Sequence, residues 1–321
     1  MNKRKISQRL LMALILLINV STGLFAQATV AKKPVVVDYS GYNFIIANDL
    51  GRNGYFDQKQ IAATMGAMAE NVDVKFVVAA GDIHHFNGVA SVTDPLWMTN
   101  YELIYSHPSL MLDWYPICGN HEYRGNTQAV LDYSKISRRW VMPSRYYTMV
   151  KKVDKNTSIR LVFIDTTPLI DKYRNDSANY PDAYKQDYKA QLHFIDSVLA
   201  VSTEKWKIVI GHHPVYAQTK KEDTERSDIQ ARLDPILRKY KVDFYVCGHI
   251  HNFQHIKQAD SPVNYFVNSS ASGARPVEAI TGTQFCSNKS GFAICSTTDN
   301  AFTLSFIDAT GKAIYSYSKT K

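Results

Sequence analysis

The chain has 321 residues, enough to bury a full core in one large domain or two small ones. Hydrophobic residues make up 45% of it and aromatics 12%, with no low-complexity tract, which excludes a disordered or fibrous chain. The formal charge of +8 is concentrated at the start: without Lys3, Arg4, Lys5 and Arg9 the balance is 33 basic against 29 acidic residues, too mild a surplus for a nucleic-acid binder but enough to help draw in anionic substrates.

Those four basic residues precede an apolar run from Leu10 to Val20, broken only by Asn19. Ser21, Thr22 and Gly23 follow, then small residues at Ala26 and Ala28. This reads as a secretory signal peptide over residues 1–28, cleaved near 26 or 28, so the protein is expected to be exported, either periplasmic or secreted. The run is too short to span a bilayer, which argues against a membrane anchor. No cysteine lies near the cleavage point to carry a lipid.

Residues 29–321 read as a single domain, since no Pro/Gly/Ser linker divides them. Asn43 to Ala47 is an apolar strand, followed by a helical pattern from Asp57 to Glu70 with Ile61, Met65 and Met68 on one side. Strands are expected at Phe76 to Ala80, Trp114 to Cys118 and Arg160 to Ile164. A helix is expected over Asp187 to Val201, then a strand at Lys207 to Ile210, a helix over Ile229 to Tyr240 and a strand at Phe244 to Val246. The tail changes character. Tyr265 to Asn268, Phe292 to Ser296, Phe302 to Ile307 and Ala313 to Tyr317 are strands with little helix between them, and Asp308 to Gly311 is a hairpin turn. Alternating β and α that gives way to a meander predicts an α/β protein of two sheets packed face to face and flanked by helices.

Five short segments carry the chemistry: Asp49-Leu50-Gly51, Gly81-Asp82-Ile83-His84-His85, Gly119-Asn120-His121-Glu122, Gly211-His212-His213-Pro214 and Gly248-His249-Ile250-His251. Each follows a predicted strand, and eight of the ten histidines lie in these segments or within a turn of them. Ligands collect beyond the carboxyl ends of strands in α/β sheets, so residues distant in sequence can converge there. Alone, each segment is common. Five in this order have the character of a two-metal site for phosphate-ester hydrolysis. Two ions roughly 3.5–4 Å apart neutralise the phosphate and lower the pKa of a bound water. Asp82 is the natural bridging carboxylate, Asn120 offers its amide oxygen, His212, His249 and His251 offer imidazoles, and Asp49 serves one metal only. No glycine-rich phosphate loop and no serine-hydrolase elbow appears. Cys118 and Cys247 read as small buried hydrophobes. Cys286 and Cys295 are spaced to close a hairpin, and sequence alone leaves their pairing open.

The segments, together with Tyr133-Ser134-Lys135-Ile136-Ser137-Arg138-Arg139-Trp140, Pro143-Ser144, Leu161 to Thr166, Cys247 to Gln254, Gly291-Phe292-Ala293 and Asp308 to Gly311, resemble the small, tartrate-resistant type of purple acid phosphatase in the calcineurin-like metallophosphoesterase superfamily. The resemblance runs from about Tyr42 to Tyr317. It implies a four-layer α/β/β/α sandwich of two packed mixed sheets and an iron-containing binuclear centre, iron being paired with Fe, Zn or Mn. One metal would take Asp49, Asp82, His251 and the residue three after Asp82; the other would take Asp82, Asn120, His212 and His249. Where the family has a tyrosine at that third position, this chain has His85. A neutral imidazole removes a negative charge and the source of the purple colour, and suits divalent ions. The alternative is that His85 points away and water fills its place. His121 would touch substrate, binding the phosphate or protonating the leaving oxygen. Lys220 and Lys221 stand where the family often has an acidic-His pair; they can hold an anionic substrate, or simply be solvated. His213 is expected to line the pocket. The implied function is phosphomonoester hydrolysis by in-line attack of a metal-bound hydroxide on a small phosphorylated substrate. A phosphodiesterase on the same centre and a non-catalytic phosphate-binding protein are the alternatives.

Overall fold

Strand β1 (Tyr42–Ala47) is buried along nearly its whole length, and its neighbour β2 (Val74–Ala80) is buried except at Lys75. Continuous apolar runs of this kind are what a strand covered on both faces requires. The structure, a computed structural model, describes residues 35–221 and 223–321. The signal peptide expected over residues 1–28, and residues 29–34 after it, lie outside the described residues.

β1 and β2 pair in parallel, and β2 pairs in parallel with β3 (Trp114–Ile117). On the other side of β1 the antiparallel meander β11 (Gly291–Thr297), β12 (Ala301–Asp308) and β13 (Ala313–Thr320) completes a six-stranded sheet of order β13-β12-β11-β1-β2-β3. The second sheet has seven strands in the order β10-β8-β9-β7-β6-β5-β4. Its parallel centre is β5 (Ser158–Phe163), β6 (Trp206–Ile210), β7 (Phe244–Cys247) and β9 (Asn264–Val267). β4 (Tyr147–Lys152), β8 (Phe253–Ile256) and β10 (Thr283–Ser287) join antiparallel.

Aromatic side chains lock the two sheets together. Phe302 of β12 meets Phe244 of β7 at 4.6 Å between ring centres, and Phe306 of β12 meets Phe253 of β8 at 4.5 Å. At the rim, Asn48 bridges to Ser270, joining the ends of β1 and β9. Helix α1 (Gln58–Asn71) buries Ile61, Met65 and Ala69, one turn apart, and Thr64 on it donates to Ala309 O at the β12–β13 turn. After the short helices α2 (Thr127–Asp132) and α3 (Asp171–Arg174), α4 (Tyr188–Ala200) is capped by Asp187, whose carboxylate accepts from Ala190 N at 3.0 Å. The expected architecture of two mixed sheets flanked by helices is present.

Three details differ from the sequence reading. The helix expected over 229–240 is two helices, α5 (Asp223–Arg232) and α6 (Asp234–Lys239), because Pro235 begins a new first turn where its missing N–H is tolerated. Strands β4, β8 and β10 lack a long apolar run: β4 and β10 are sheet edges, and β8 follows directly on the His251 segment. Cys286 and Cys295 lie on β10 and β11, in different sheets, and all four cysteines are free thiols. Among the described residues no helix is long and apolar enough to cross a membrane.

Candidate metal centre

All five segments begin where parallel strands end: β1, β2 and β3 in one sheet, β6 and β7 in the other. Backbone bonds tie the loops to one another, with Asp49 N donating to Gly81 O and Leu50 N to Asp82 O, both at 2.9 Å, and Gly248 N donating to His212 O at 2.9 Å. Asp49, Asp82, His249 and His251 adopt positive φ of 52°, 53°, 74° and 59°. Side chains other than glycine rarely occupy this region, and strain of this kind persists where the surrounding structure over-determines it, as at functional sites. Glycine is required at two adjacent places. A Cβ on Gly119 would lie 2.3 Å from Asp82 Oδ1, and one on Gly248 would lie 2.6 Å from Asp49 Oδ2.

Asp82 Oδ2 is the hub. It lies 3.1 Å from His212 Nε2, 3.5 Å from His85 Nε2 and 3.8 Å from His121 Nε2. Asp49 Oδ1 lies 2.9 Å from His251 Nε2 and 4.0 Å from His85 Nε2. These atoms are close without being hydrogen-bonded: Asp49 Oδ1, His85 Nε2, Asn120 Oδ1 and His212 Nε2 are all buried and lack a hydrogen-bond partner. Buried polar atoms are normally satisfied. Donors that aim past one another toward common points are what shared cations need, and the groupings Asp49–His85–His251 and Asp49–Asp82–His212 each converge within 4.8 Å. The donor set of carboxylate, amide oxygen and imidazole therefore fits a pair of metal ions.

Two of the imidazoles, His212 and His121, are oriented from behind by backbone carbonyls. His212 Nδ1 donates to Ala80 O at 2.9 Å, leaving Nε2 free to face Asp82. His121 Nδ1 donates to Phe86 O at 2.6 Å, so its Nε2 faces the centre from a partly open position. His84 turns the other way, packing edge-on against Trp97, and burial pushes its pKa down to about 3. Burial would lower the pKa of His212, but Asp82 and Asp49 hold it up at about 9. For Asp49, burial is outweighed by His251 and His212, which keep the carboxyl well below its usual range.

His249 has a different setting from the other expected ligands. Its backbone N–H donates to Asp49 Oδ2 at 2.9 Å, while its Nε2 lies 2.9 Å from Glu225 Oε2 and 2.7 Å from Lys221 Nζ. Its ring stays beside His212, at 5.2 Å between centres. His213 lies beside His249, with 4.2 Å between ring centres. It is fully buried, with Thr166 Oγ1 at 2.8 Å from Nδ1 and Tyr173 OH at 3.2 Å from Nε2, contacts that brace the loop. Lys220 is exposed and lines, with Lys221, a cavity of about 270 Å³ beside the centre.

Two carboxylates went unassigned in the sequence. Glu122 accepts from three backbone N–H groups, those of Gly119 at 2.7 Å and of Asp82 and His84 at 2.9 Å, and so clamps the turns after β2 and β3 together. Burial, with Asp82 close by, pushes its pKa up to about 8. Glu225 accepts from Lys172 Nζ at 2.9 Å and Tyr173 OH at 3.0 Å behind His249. Glu122 lies inside a recognised segment, but only the tertiary fold shows what it holds. Nothing in the sequence around Glu225 marks it.

Comparison with known proteins gives the same answer. The family model for calcineurin-like phosphoesterases matches residues 42–253. Purple acid phosphatase 4 of Arabidopsis thaliana is 32% identical over 293 residues, 87% of this chain and 84% of that protein. Purple acid phosphatase 3 of the same plant is 34% identical over 72% of this chain, a match that spans 63% of the relative's length. Tartrate-resistant acid phosphatase type 5 of Homo sapiens is 29% identical over 80% of this chain and 81% of that protein. Two solved structures share the fold. GAP50, the anchor in the inner membrane complex of Plasmodium, superposes with a TM-score of 0.74 at 22% identity over 87% of this chain and 88% of that one. The purple acid phosphatase PPD1 of yellow lupin superposes with a TM-score of 0.61 at 16% identity over 88% and 54%. On the strength of the family match and the plant relatives, the chain belongs to the calcineurin-like phosphoesterases, among the purple acid phosphatases.

Proposed function

We propose that this protein is an exported phosphomonoesterase with a binuclear metal centre. It hydrolyses small phosphate monoesters by in-line attack of water on phosphorus, with no covalent phospho-enzyme. The observation that carries the reading is the convergence of buried, otherwise unpartnered donor atoms on either side of Asp82 Oδ2. Two metal ions, when bound, neutralise the phosphate and make water acidic enough to supply the nucleophile near neutral pH.

The chain's own residues supply the rest. Asp49, Asp82, His85 and His251 would hold one ion; Asp82, Asn120, His212 and His249 would hold the other. His85 stands where relatives are expected to have tyrosine, and its neutral ring suits Fe(II), Zn(II) or Mn(II) paired with iron or with each other. His121, whose Nδ1–H donates to Phe86 O, presents Nε2 to the substrate; in the imidazolium form that nitrogen carries the proton it gives to the leaving oxygen, and the ring is left neutral. Lys221, drawn to His249 and Glu225, and Lys220 at the rim supply positive charge toward an anionic substrate. Export rests on the N-terminal segment, with its basic start, short apolar run and small residues at 26 and 28.

The test is turnover. Purified protein loaded with Fe, Zn or Mn should release many phosphates per chain from a chromogenic phosphomonoester and cleave the matching diester more slowly. One phosphate captured per chain without turnover would make it a phosphate-binding protein. Faster cleavage of the diester would make it a phosphodiesterase.

A further inference from the structure

Beside the proposed centre lies a cavity of about 370 Å³ lined by His251, Arg52, Phe56, Asp57, Ser272 and Arg275. It opens directly on a proposed metal ligand. Arg275 is held there by its backbone N–H, which donates to His251 O at 2.7 Å. Arg52 comes from the Asp49 loop. Its guanidinium lies over the ring of Phe86 at 4.8 Å and near that of Phe56 at 5.9 Å, two aromatics that are 61% and 76% exposed. Among the described residues neither guanidinium has an ion-pair or hydrogen-bond partner. The one carboxylate in the cavity, Asp57, is engaged by Ser290 Oγ at 2.5 Å. The two guanidiniums line one cavity and repel each other, with Asp49 and Asp82 acting on Arg52 from the metal side; an anion between the two relieves the repulsion. Stacking on Phe86 leaves the edge of Arg52 free for a bidentate bond, the geometry that suits phosphate.

We propose that Arg52 and Arg275 form a second anion subsite. It takes another phosphate group of the same substrate, so the preferred substrates are small bisphosphates or diphosphates rather than simple monoesters. This rests on the phosphatase reading above. It also gives Arg52 and Arg275 a role in specificity that the ligand segments do not supply.

The metal-loaded protein should show kcat/KM at least about tenfold higher for a sugar bisphosphate than for the matching sugar monophosphate, the scale of one charge-assisted hydrogen bond. A nucleoside diphosphate against its monophosphate tests the shorter spacing, and preference for either pair supports the subsite. Arg52→Ala and Arg275→Ala should each lower that ratio, and the double variant should bring it near one. Arg52→Lys, which keeps the charge and loses the fork, should recover only part of it. Equal kcat/KM within both pairs for the wild type, or a preference that survives in the double variant, overturns the subsite. If no ester is turned over, the phosphatase reading has failed on its own. Titration calorimetry with inorganic pyrophosphate and orthophosphate then decides the subsite separately. Tighter pyrophosphate binding that is lost in the double variant supports it, and equal binding overturns it.

Discussion

Glu122→Gln is the change whose consequences follow most directly from the geometry. Oε2 of Glu122 accepts from Asp82 N and Gly119 N, and Oε1 accepts from His84 N. An amide can keep the doubly bonded oxygen, but its NH2 group must then face the His84 N–H. One buried donor loses its acceptor, at a cost of about 1–3 kcal/mol. A loss of about 2 kcal/mol lowers Tm by roughly 4–8 °C in a domain of about 150–250 residues, and this longer domain falls at the lower end of that range. The site suffers as well as the fold, because Asp82 and His85 belong to the turn being released. Differential scanning calorimetry of the metal-depleted variant should show the drop in Tm. Metal analysis after dialysis should show weaker retention of both ions. A variant with wild-type Tm and full metal content would mean that the clamp does not set the position of Asp82.

Other residues give sharper functional readouts. His85→Tyr should introduce visible absorbance in the iron-loaded protein, which is itself expected to be pale, and His85→Ala should weaken binding of the first ion by about tenfold or more, measured by chelator competition. An intensely purple wild-type protein would show that another residue supplies a phenolate. Gly119→Ala places a methyl 2.3 Å from Asp82 Oδ1, so it should cost most of the activity while leaving the circular dichroism spectrum native; an active variant would show that Asp82 can move freely. His255 is buried against Phe266, and burial lowers its pKa to about 4 from the ordinary 6.5. The unfolded chain therefore binds the extra proton between those values, and stability falls as pH drops through that window, by about 2 kcal/mol at pH 5. His255→Gln should flatten the dependence of Tm on pH between 6.5 and 4, and an unchanged slope would place the acid sensitivity elsewhere.

Much of the site was legible because its signals are local. A buried strand that ends in glycine and then Asp, Asn or His is visible in a few residues, and the rule that ligands gather at strand ends brings five such segments to one rim. The parallel strands β1, β2, β6 and β7 were found for the same reason, since their apolar runs are continuous. What escaped depends on partners distant in the chain. Glu122 matters through backbone N–H groups about 40 residues away, and Glu225 through an imidazole 24 residues on. The contacts of His213 with Thr166 and Tyr173, 47 and 40 residues away, are likewise visible only in the fold. Edge strands β4 and β10 alternate apolar and polar residues too weakly to stand out, and the break between α5 and α6 falls at a single proline.

Two metal ions sharing Asp82, with His85 on one of them, is an arrangement open to direct measurement. A crystal of the metal-loaded protein, measured at the absorption edge of the bound metal, tests it without reference to any substrate. Two anomalous peaks roughly 3.5–4 Å apart are expected. Asp82 should lie between them, with His85, Asp49 and His251 around one and Asn120, His212 and His249 around the other. A single peak, or a pair in which Asp82 touches only one ion and His85 neither, would contradict it.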